Sequence, residues 1–196
     1  MTRTIGIFVF DGVEVLDFAG PYEVFTCASR VHGGDTPPFR VVTIARQPDM
    51  LRARAGLSVL PEADFRAMPR LDVLLIPGGV VDDELARPEV IDWIAATHQH
   101  TEITASICNG AILLAATGLL DGLPATTHWA DMAELRERFP AVQVRQDRRW
   151  IDNGRLLTSG GISAGIDMSL HLVARLAGMA LARDTALRME YDWKEA

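Results

Sequence analysis

Residues 103–114 of this chain form the stretch ITASICNGAILL, which places a strand-like run directly before a helix-like one. Its first half, Ile103 to Ile107, is a short apolar run of the kind that forms a buried strand. Its second half, from Asn109 onward, is helix-like, so Cys108 stands where a strand becomes a helix. A tight turn at such a junction presents one side chain at the carboxyl edge of a sheet, as in a nucleophile elbow. We therefore expect Cys108 to lie where sheets of this kind bind their ligands.

The rest of the chain repeats this alternation of strand and helix. The other strand-like runs are continuous rather than alternating, which is typical of a parallel sheet covered on both faces; they are Ile5 to Phe10, Phe39 to Ala45 and Asp72 to Ile76. Helix-like segments span Pro21 to Ala28, Pro88 to His100, Asp131 to Phe139, and Ile166 to near Gly178. Hairpin-like excursions are predicted at Arg52 to Leu60 and Trp150 to Leu157. The pattern predicts a three-layer α/β/α sandwich with a mostly parallel sheet.

Composition limits the class of protein. With 196 residues, and about 150 residues per domain as a guide, we expect one domain over residues 1–196. The 26 acidic and 19 basic side chains give a net charge of -7, so the basic surface that a nucleic-acid partner requires is not expected. Two cysteines cannot build a disulfide framework, and the N-terminus leads into a strand-like run rather than a signal peptide. We expect a cytoplasmic protein.

One uncharged segment tests the prediction that no membrane is involved. Residues 103–120 carry no charged side chain and approach the length of a membrane span. The segment contains polar and glycine residues throughout, and it is strand-like in its first half and helix-like in its second. A buried strand followed by a buried helix explains this segment better than a membrane span does.

The chemistry is predicted to centre on Cys108. A thiol at a helix N-terminus sees unsatisfied backbone N–H groups and the helix dipole, which lower its pKa from about 8.5. The alternative interpretation of Cys108 is a small buried hydrophobic residue, which many free cysteines are. Its position favours the nucleophile. Cys27 lies within a predicted amphipathic helix and is interpreted as a packing residue.

Three other features could accompany such a nucleophile. Asp17 is either a surface N-cap before the Pro21 helix or a general acid/base beside Cys108, and the residues alone leave both open. Gly78 and Gly79 follow a strand, where the Gly79 amide and one at the start of the Asn109 helix would form an anion-stabilising pocket. His128 would be able to activate a thiol, as in Cys–His enzymes. No metal-ligand spacing, P-loop or dinucleotide fingerprint is present, so we expect neither a metal nor a cofactor.

Taken together, these motifs resemble the DJ-1/PfpI superfamily of the class I glutamine amidotransferase-like fold. Within it, the chain is most similar to the isocyanide hydratases and to the amidase-like domains of AraC-type regulators. The blocks that carry the resemblance are GIFVFDGV (6–13), LDFAGP (16–21), IPGG (76–79), SICNG (106–110), ATGLLDG (116–122), ATTHW (125–129) and LTSGGISAGID (157–167). They extend over almost the whole chain. The resemblance implies a flavodoxin-like three-layer sandwich.

The resemblance also implies roles for individual residues. Cys108 would be the nucleophile and Asp17 its acid/base partner, with pocket residues Gly78, Gly79, Asn109, Gly110, Ile162 and His128. For an isocyanide hydratase, the thiolate attacks the terminal carbon of the isocyanide, the Asp17 carboxyl group supplies a proton, and water releases an N-formamide. The implied partner is a small-molecule substrate, without a metal or redox cofactor, and the implied assembly is a homodimer.

Other activities remain open under the same resemblance. Asn109 stands where the hydratases carry Thr. The protease-like members carry His at the same position, and the absence of His here argues against an amidase or peptidase. A glyoxalase-type reaction usually uses glutamate or histidine beside the thiol, so Asp17 makes it a weaker alternative. A non-catalytic ligand- or oxidation-sensing domain is the main alternative from a different class. The AraC-type regulators continue into a helix-turn-helix region, which we do not expect in a chain that ends at Ala196.

Overall fold

The computed structural model describes residues 1–195, so Ala196, the last residue of the predicted domain, lies outside the described residues. Its helices and strands follow in this order: β1 (Arg3–Phe8), α1 (Val15–His32), β2 (Phe39–Ala45), β3 (Leu51–Arg52), β4 (Ser58–Val59), β5 (Ala63–Asp64), β6 (Val73–Ile76), α2 (Asp82–Leu85), α3 (Pro88–His98), β7 (Ile103–Ser106), α4 (Gly110–Ala116), β8 (Pro124–Ala125), α5 (Met132–Arg138), β9 (Gln143–Val144), β10 (Trp150–Asp152), β11 (Leu156–Ser159), α6 (Ala164–Ala177) and α7 (Met179–Arg188). Short 3₁₀ turns occupy Arg54–Gly56 and Trp129–Asp131.

A seven-stranded sheet forms the middle layer, in the order β10-β11-β7-β6-β1-β2-β5. Every neighbouring pair in it is parallel except β10 and β11, which form the hairpin predicted near residue 150. The central strands β6 and β7 are buried along their whole length. Helices α1, α6 and α7 pack together as one outer layer, and α2 to α5 pack as the other. The predicted three-layer α/β/α sandwich with a mostly parallel sheet is confirmed.

Helix α1 is longer than predicted. It begins at Val15 and keeps Pro21 inside it, whereas the sequence pattern placed Pro21 at its start. Proline is favoured at the first turn of a helix, which explains the wrong boundary. The consequence is that Asp17 belongs to the first turn of α1 and not to the loop before it.

The C-terminal part adds one helix after the segment that was expected to end near Gly178. The chain turns at Gly178, whose φ of 102° suits glycine, and then forms α7. Among residues 1–195, none of the helices combines the length and the apolar character that crossing a bilayer requires.

The junction between β7 and α4 has the geometry of an elbow. Cys108 adopts a φ of 55°, in the left-handed region that side chains rarely occupy. Its backbone N–H donates to the carbonyl of Gly160 at 3.2 Å. A Cβ at Gly110 would lie 2.1 Å from the carbonyl oxygen of Ile76, so only glycine lets α4 start this close to β6. The expected strand–turn–helix junction at Cys108 is present.

This backbone conformation predicts an unusual order of stability among variants of Cys108. A left-handed conformation costs an L-residue about 1 kcal/mol that glycine does not incur. We expect Cys108→Gly to exceed Cys108→Ala by about 1 kcal/mol in the free energy of unfolding, measured by urea denaturation.

Cys27 provides the matched control, because it is also buried but lies inside α1. There the order should reverse, since glycine in a helix is about 1 kcal/mol less favourable than alanine. Equal stability of Cys108→Gly and Cys108→Ala would contradict the left-handed turn.

Candidate active site

Helix α1 brings Asp17 to the elbow. Its carboxyl group is completely buried, and Oδ2 accepts a hydrogen bond from the backbone N–H of Gly78 at 3.0 Å. Its other oxygen, Oδ1, has no hydrogen-bond partner among the described residues. The N-cap position of α1 is held by Glu14, so the surface N-cap interpretation of Asp17 is wrong. Asp17 lies instead beside the thiol of Cys108.

Burial raises the pKa of both groups. Desolvation raises the pKa of Asp17 to about 6, although the hydrogen bond from Gly78 opposes this shift. Desolvation, followed by the negative charge of Asp17, raises the pKa of the Cys108 thiol to about 12. The backbone N–H of Asn109 lowers that pKa, as expected at a helix start, but it is outweighed. The predicted lowering of the thiol pKa is therefore wrong, since burial and the charge of Asp17 outweigh the effect of the helix start.

The Asn109 side chain forms hydrogen bonds with both backbone groups of Gly79. Its Oδ1 accepts from the Gly79 N–H at 2.8 Å, and its Nδ2 donates to the Gly79 carbonyl at 3.0 Å. A Cβ at Gly78 would lie 2.2 Å from Asn109 Oδ1, so this close approach needs glycine. The Gly79 N–H that was expected to stabilise an anion is thus already bonded, and the Asn109 N–H faces the sulfur instead.

A second segment, residues 127–131, also lies beside Cys108. Thr127 Oγ1 donates to the Cys108 carbonyl at 2.9 Å, which fixes this segment to the elbow. One ligand atom each from Cys108, His128 and Asp131 lie within 4.8 Å of one another. His128 Nδ1 lies 3.4 Å from Asp131 Oδ2 and accepts from the Ala130 N–H at 3.3 Å. His128 is therefore near the thiol, as predicted, with a carboxylate beside it.

Asp131 and Thr127 are the residues that sequence reasoning missed. Asp131 follows His128 by three positions, a spacing that would have placed the two side chains on one face of a helical turn. Asp131 was expected only to begin a helix, and Thr127 was part of the ATTHW motif without a role of its own. Cys108 is distant from both in sequence, so no local spacing connects the three.

The predicted pocket residues divide into two groups. Ile162, with a φ of 51°, lies with His128 along an open groove of about 600 Å³, which is a size suited to a small organic molecule. Trp129 is 79% exposed at the same groove and gives it an apolar edge. Gly78 and Gly110 do not line this groove; they allow close backbone packing beneath Cys108.

Several known proteins are similar to this chain over most of its length. Residues 3–175 match the model of the DJ-1/PfpI family. The isonitrile hydratase of Pseudomonas putida is 34% identical over 97% of this chain and 79% of its own length. The transcriptional regulator GbdR of Pseudomonas aeruginosa is 29% identical over 92% of this chain, which spans 48% of that regulator. A crystal structure of a ThiJ/PfpI family protein from Pseudomonas syringae superposes with a TM-score of 0.85 at 30% identity, covering 99% of this chain and 77% of that one.

The match to the family model, the similarity to the hydratase and the elbow at Cys108 lead to the same conclusion: the chain belongs to the DJ-1/PfpI family.

Proposed function

We propose that the protein is a cysteine-dependent enzyme of the isocyanide hydratase type, which adds water to an isocyanide to give an N-formamide. The observation that carries the proposal is the buried Asp17 carboxyl group beside a thiol at a left-handed elbow. The sequence similarity of this chain to the isonitrile hydratase supports this choice of reaction.

The first half of the reaction moves one proton through Asp17. With a pKa of about 6 the carboxyl group is ionised at neutral pH, whereas the Cys108 thiol keeps its proton. Asp17 accepts that proton as the sulfur forms a bond to the terminal carbon of the isocyanide. The carboxylic acid then returns the proton to the same carbon. The product is a thioimidate on Cys108.

Hydrolysis completes the cycle. Water adds its oxygen to the thioimidate carbon, the carbon–sulfur bond breaks, and the nitrogen acquires a proton, which leaves an N-formamide. The departing sulfur regains a proton and the site returns to its starting state. Neither half requires an electron donor or acceptor. The apolar edge formed by Trp129 and Ile162 suits a small, weakly polar substrate.

A sensor of small molecules is the second candidate, favoured by the similarity of this chain to about half the length of two regulators, GbdR and CdhR. An oxidation sensor is less well supported, because a thiol with a raised pKa reacts slowly with peroxide. Peroxide titration followed by intact-mass measurement separates the two kinds of sensor, since only oxidation adds oxygen to Cys108.

We also propose that the protein is a homodimer. Leu16 and Tyr22 are partly exposed on α1, where they would be available for contact with a second copy. Size-exclusion chromatography with light scattering should give twice the chain mass of 21.5 kDa. A mass of one chain at micromolar concentration would contradict the dimer.

The central prediction concerns Cys108. We expect the wild type to convert an aryl isocyanide to the N-formamide and Cys108→Ala to form none above the uncatalysed rate, because the covalent intermediate cannot form. Formamide is measured by liquid chromatography. Cys27→Ala is the control and should retain activity, since Cys27 is buried inside α1. A wild type that forms no formamide while its thiol is alkylated would favour the sensor.

Asp17 provides an independent prediction. Asp17→Asn keeps the shape of the side chain and an oxygen for the Gly78 N–H, but it cannot carry the proton. We expect the rate of formamide formation to fall by about a hundredfold or more. Glu14→Gln is the control, because Glu14 acts on Asp17 only through its charge and should change the rate little. An Asp17→Asn variant as fast as wild type would show that the proton comes from elsewhere.

A further inference from the structure

The environment of Cys108 contains a set of side chains that the hydration reaction does not use. His128 and Asp131 lie beside the sulfur, and each of their side chains is about a quarter exposed. His128 also lines the groove. The three ligand atoms, a sulfur, a ring nitrogen and a carboxylate oxygen, lie within 4.8 Å of one another. They are the donors that Zn²⁺ binds most often in proteins.

We propose that Cys108, His128 and Asp131 form a binding site for a thiophilic divalent cation, with Zn²⁺ as the representative ion. Three protein ligands leave one position of a tetrahedral ion for water. A thiolate and a carboxylate balance the two positive charges of the ion, so the bound site is neutral. The cation would occupy the sulfur, and its binding would therefore compete with chemistry at Cys108.

The backbone holds the three side chains in place before any ion arrives. His128 and Asp131 lie at the two ends of one 3₁₀ turn, which is closed by the hydrogen bond from the Asp131 N–H to the His128 carbonyl at 3.0 Å. Gly161 confines the imidazole, because a Cβ there would lie 2.0 Å from His128 Cδ2. Thr127 ties the same segment to the Cys108 carbonyl. A preorganised ligand set loses little conformational entropy on binding.

The charges around the site support a cation. Asp17 and Glu134 are two further carboxylates, and their negative charges act on Cys108 and Asp131 respectively. Arg54 is the basic side chain whose charge acts on Asp131, and it is shared with Glu14, whose carboxylate lies 3.7 Å away. Zinc binding displaces the thiol proton to solvent, because the metal ligand is the thiolate.

The proposal is tested on tag-free protein by isothermal titration with Zn²⁺ and by the spectrum of the Co²⁺ form. We expect one Zn²⁺ per chain and a near-ultraviolet charge-transfer band from sulfur to Co²⁺. Cys108→Ser should abolish the band. Asp131→Asn and His128→Ala should each weaken Zn²⁺ binding by at least about tenfold, since even partners outside the coordination shell cost that much.

Two variants serve as matched controls. His171 and Asp152 form a second histidine–aspartate pair, whose Nε2 and Oδ2 atoms lie 2.7 Å apart. Both side chains are partly exposed, and neither belongs to the cluster of Cys108, His128 and Asp131. His171→Ala should therefore leave Zn²⁺ affinity unchanged, as should Cys27→Ala. Zn²⁺ binding that survives Cys108→Ser or Asp131→Asn with full affinity would overturn the proposed ligand set, and so would a wild type that binds no Zn²⁺ at micromolar concentration. Neither result depends on whether the protein hydrates isocyanides.

Discussion

The left-handed turn at Cys108 sets where the thiol lies and which segments contact it. It ends β7 and starts α4 within a few residues, so the thiol lies at the carboxyl edge of the sheet. The turn is held by the bond from the Cys108 N–H to Gly160 and by the bond from Thr127 to the Cys108 carbonyl. Both partners belong to segments that surround the thiol. The same two bonds that stabilise a strained conformation therefore also assemble the walls of the site.

Burial makes the thiol and the Asp17 carboxyl group act as a pair. The negative charge of Asp17 raises the pKa of the thiol, whereas the contact with the thiol lowers the pKa of Asp17. One proton shared between them is the arrangement that this environment favours. A soft electrophile that bonds first to the sulfur and then accepts the proton suits this arrangement, because no uncompensated buried charge remains.

Much of the fold and part of the site could be predicted from the sequence. The continuous apolar runs around residues 73–76 and 103–106 indicate buried parallel strands because both of their faces are covered. The start of α1 could not be predicted, since Pro21 favours a helix start and tertiary packing overrides that preference. The clamp between Asn109 and Gly79 also could not, because it joins residues thirty positions apart through side-chain atoms.

The thiol pKa shows why a local rule failed at this site. The rule that a helix N-terminus lowers a thiol pKa is correct in sign, and the Asn109 amide does act in that direction. It fails because Cys108 is only 8% exposed, so desolvation and the charge of Asp17 dominate. Desolvation depends on which residues of the whole chain pack around the elbow. The pattern of strands and helices along the sequence does not predict that packing.

The elbow by itself does not determine what the protein does. A hydratase and several regulators align with nearly the whole of this chain at 28% to 34% identity, so one sheet and one turn accompany different functions. The chemistry depends on the few side chains that reach the sulfur. Asp17 contributes a buried carboxyl group next to the sulfur, whereas His128 and Asp131 contribute further donor atoms. Since these groups come from separate segments, substitution within one of them can change the reaction while the elbow remains intact.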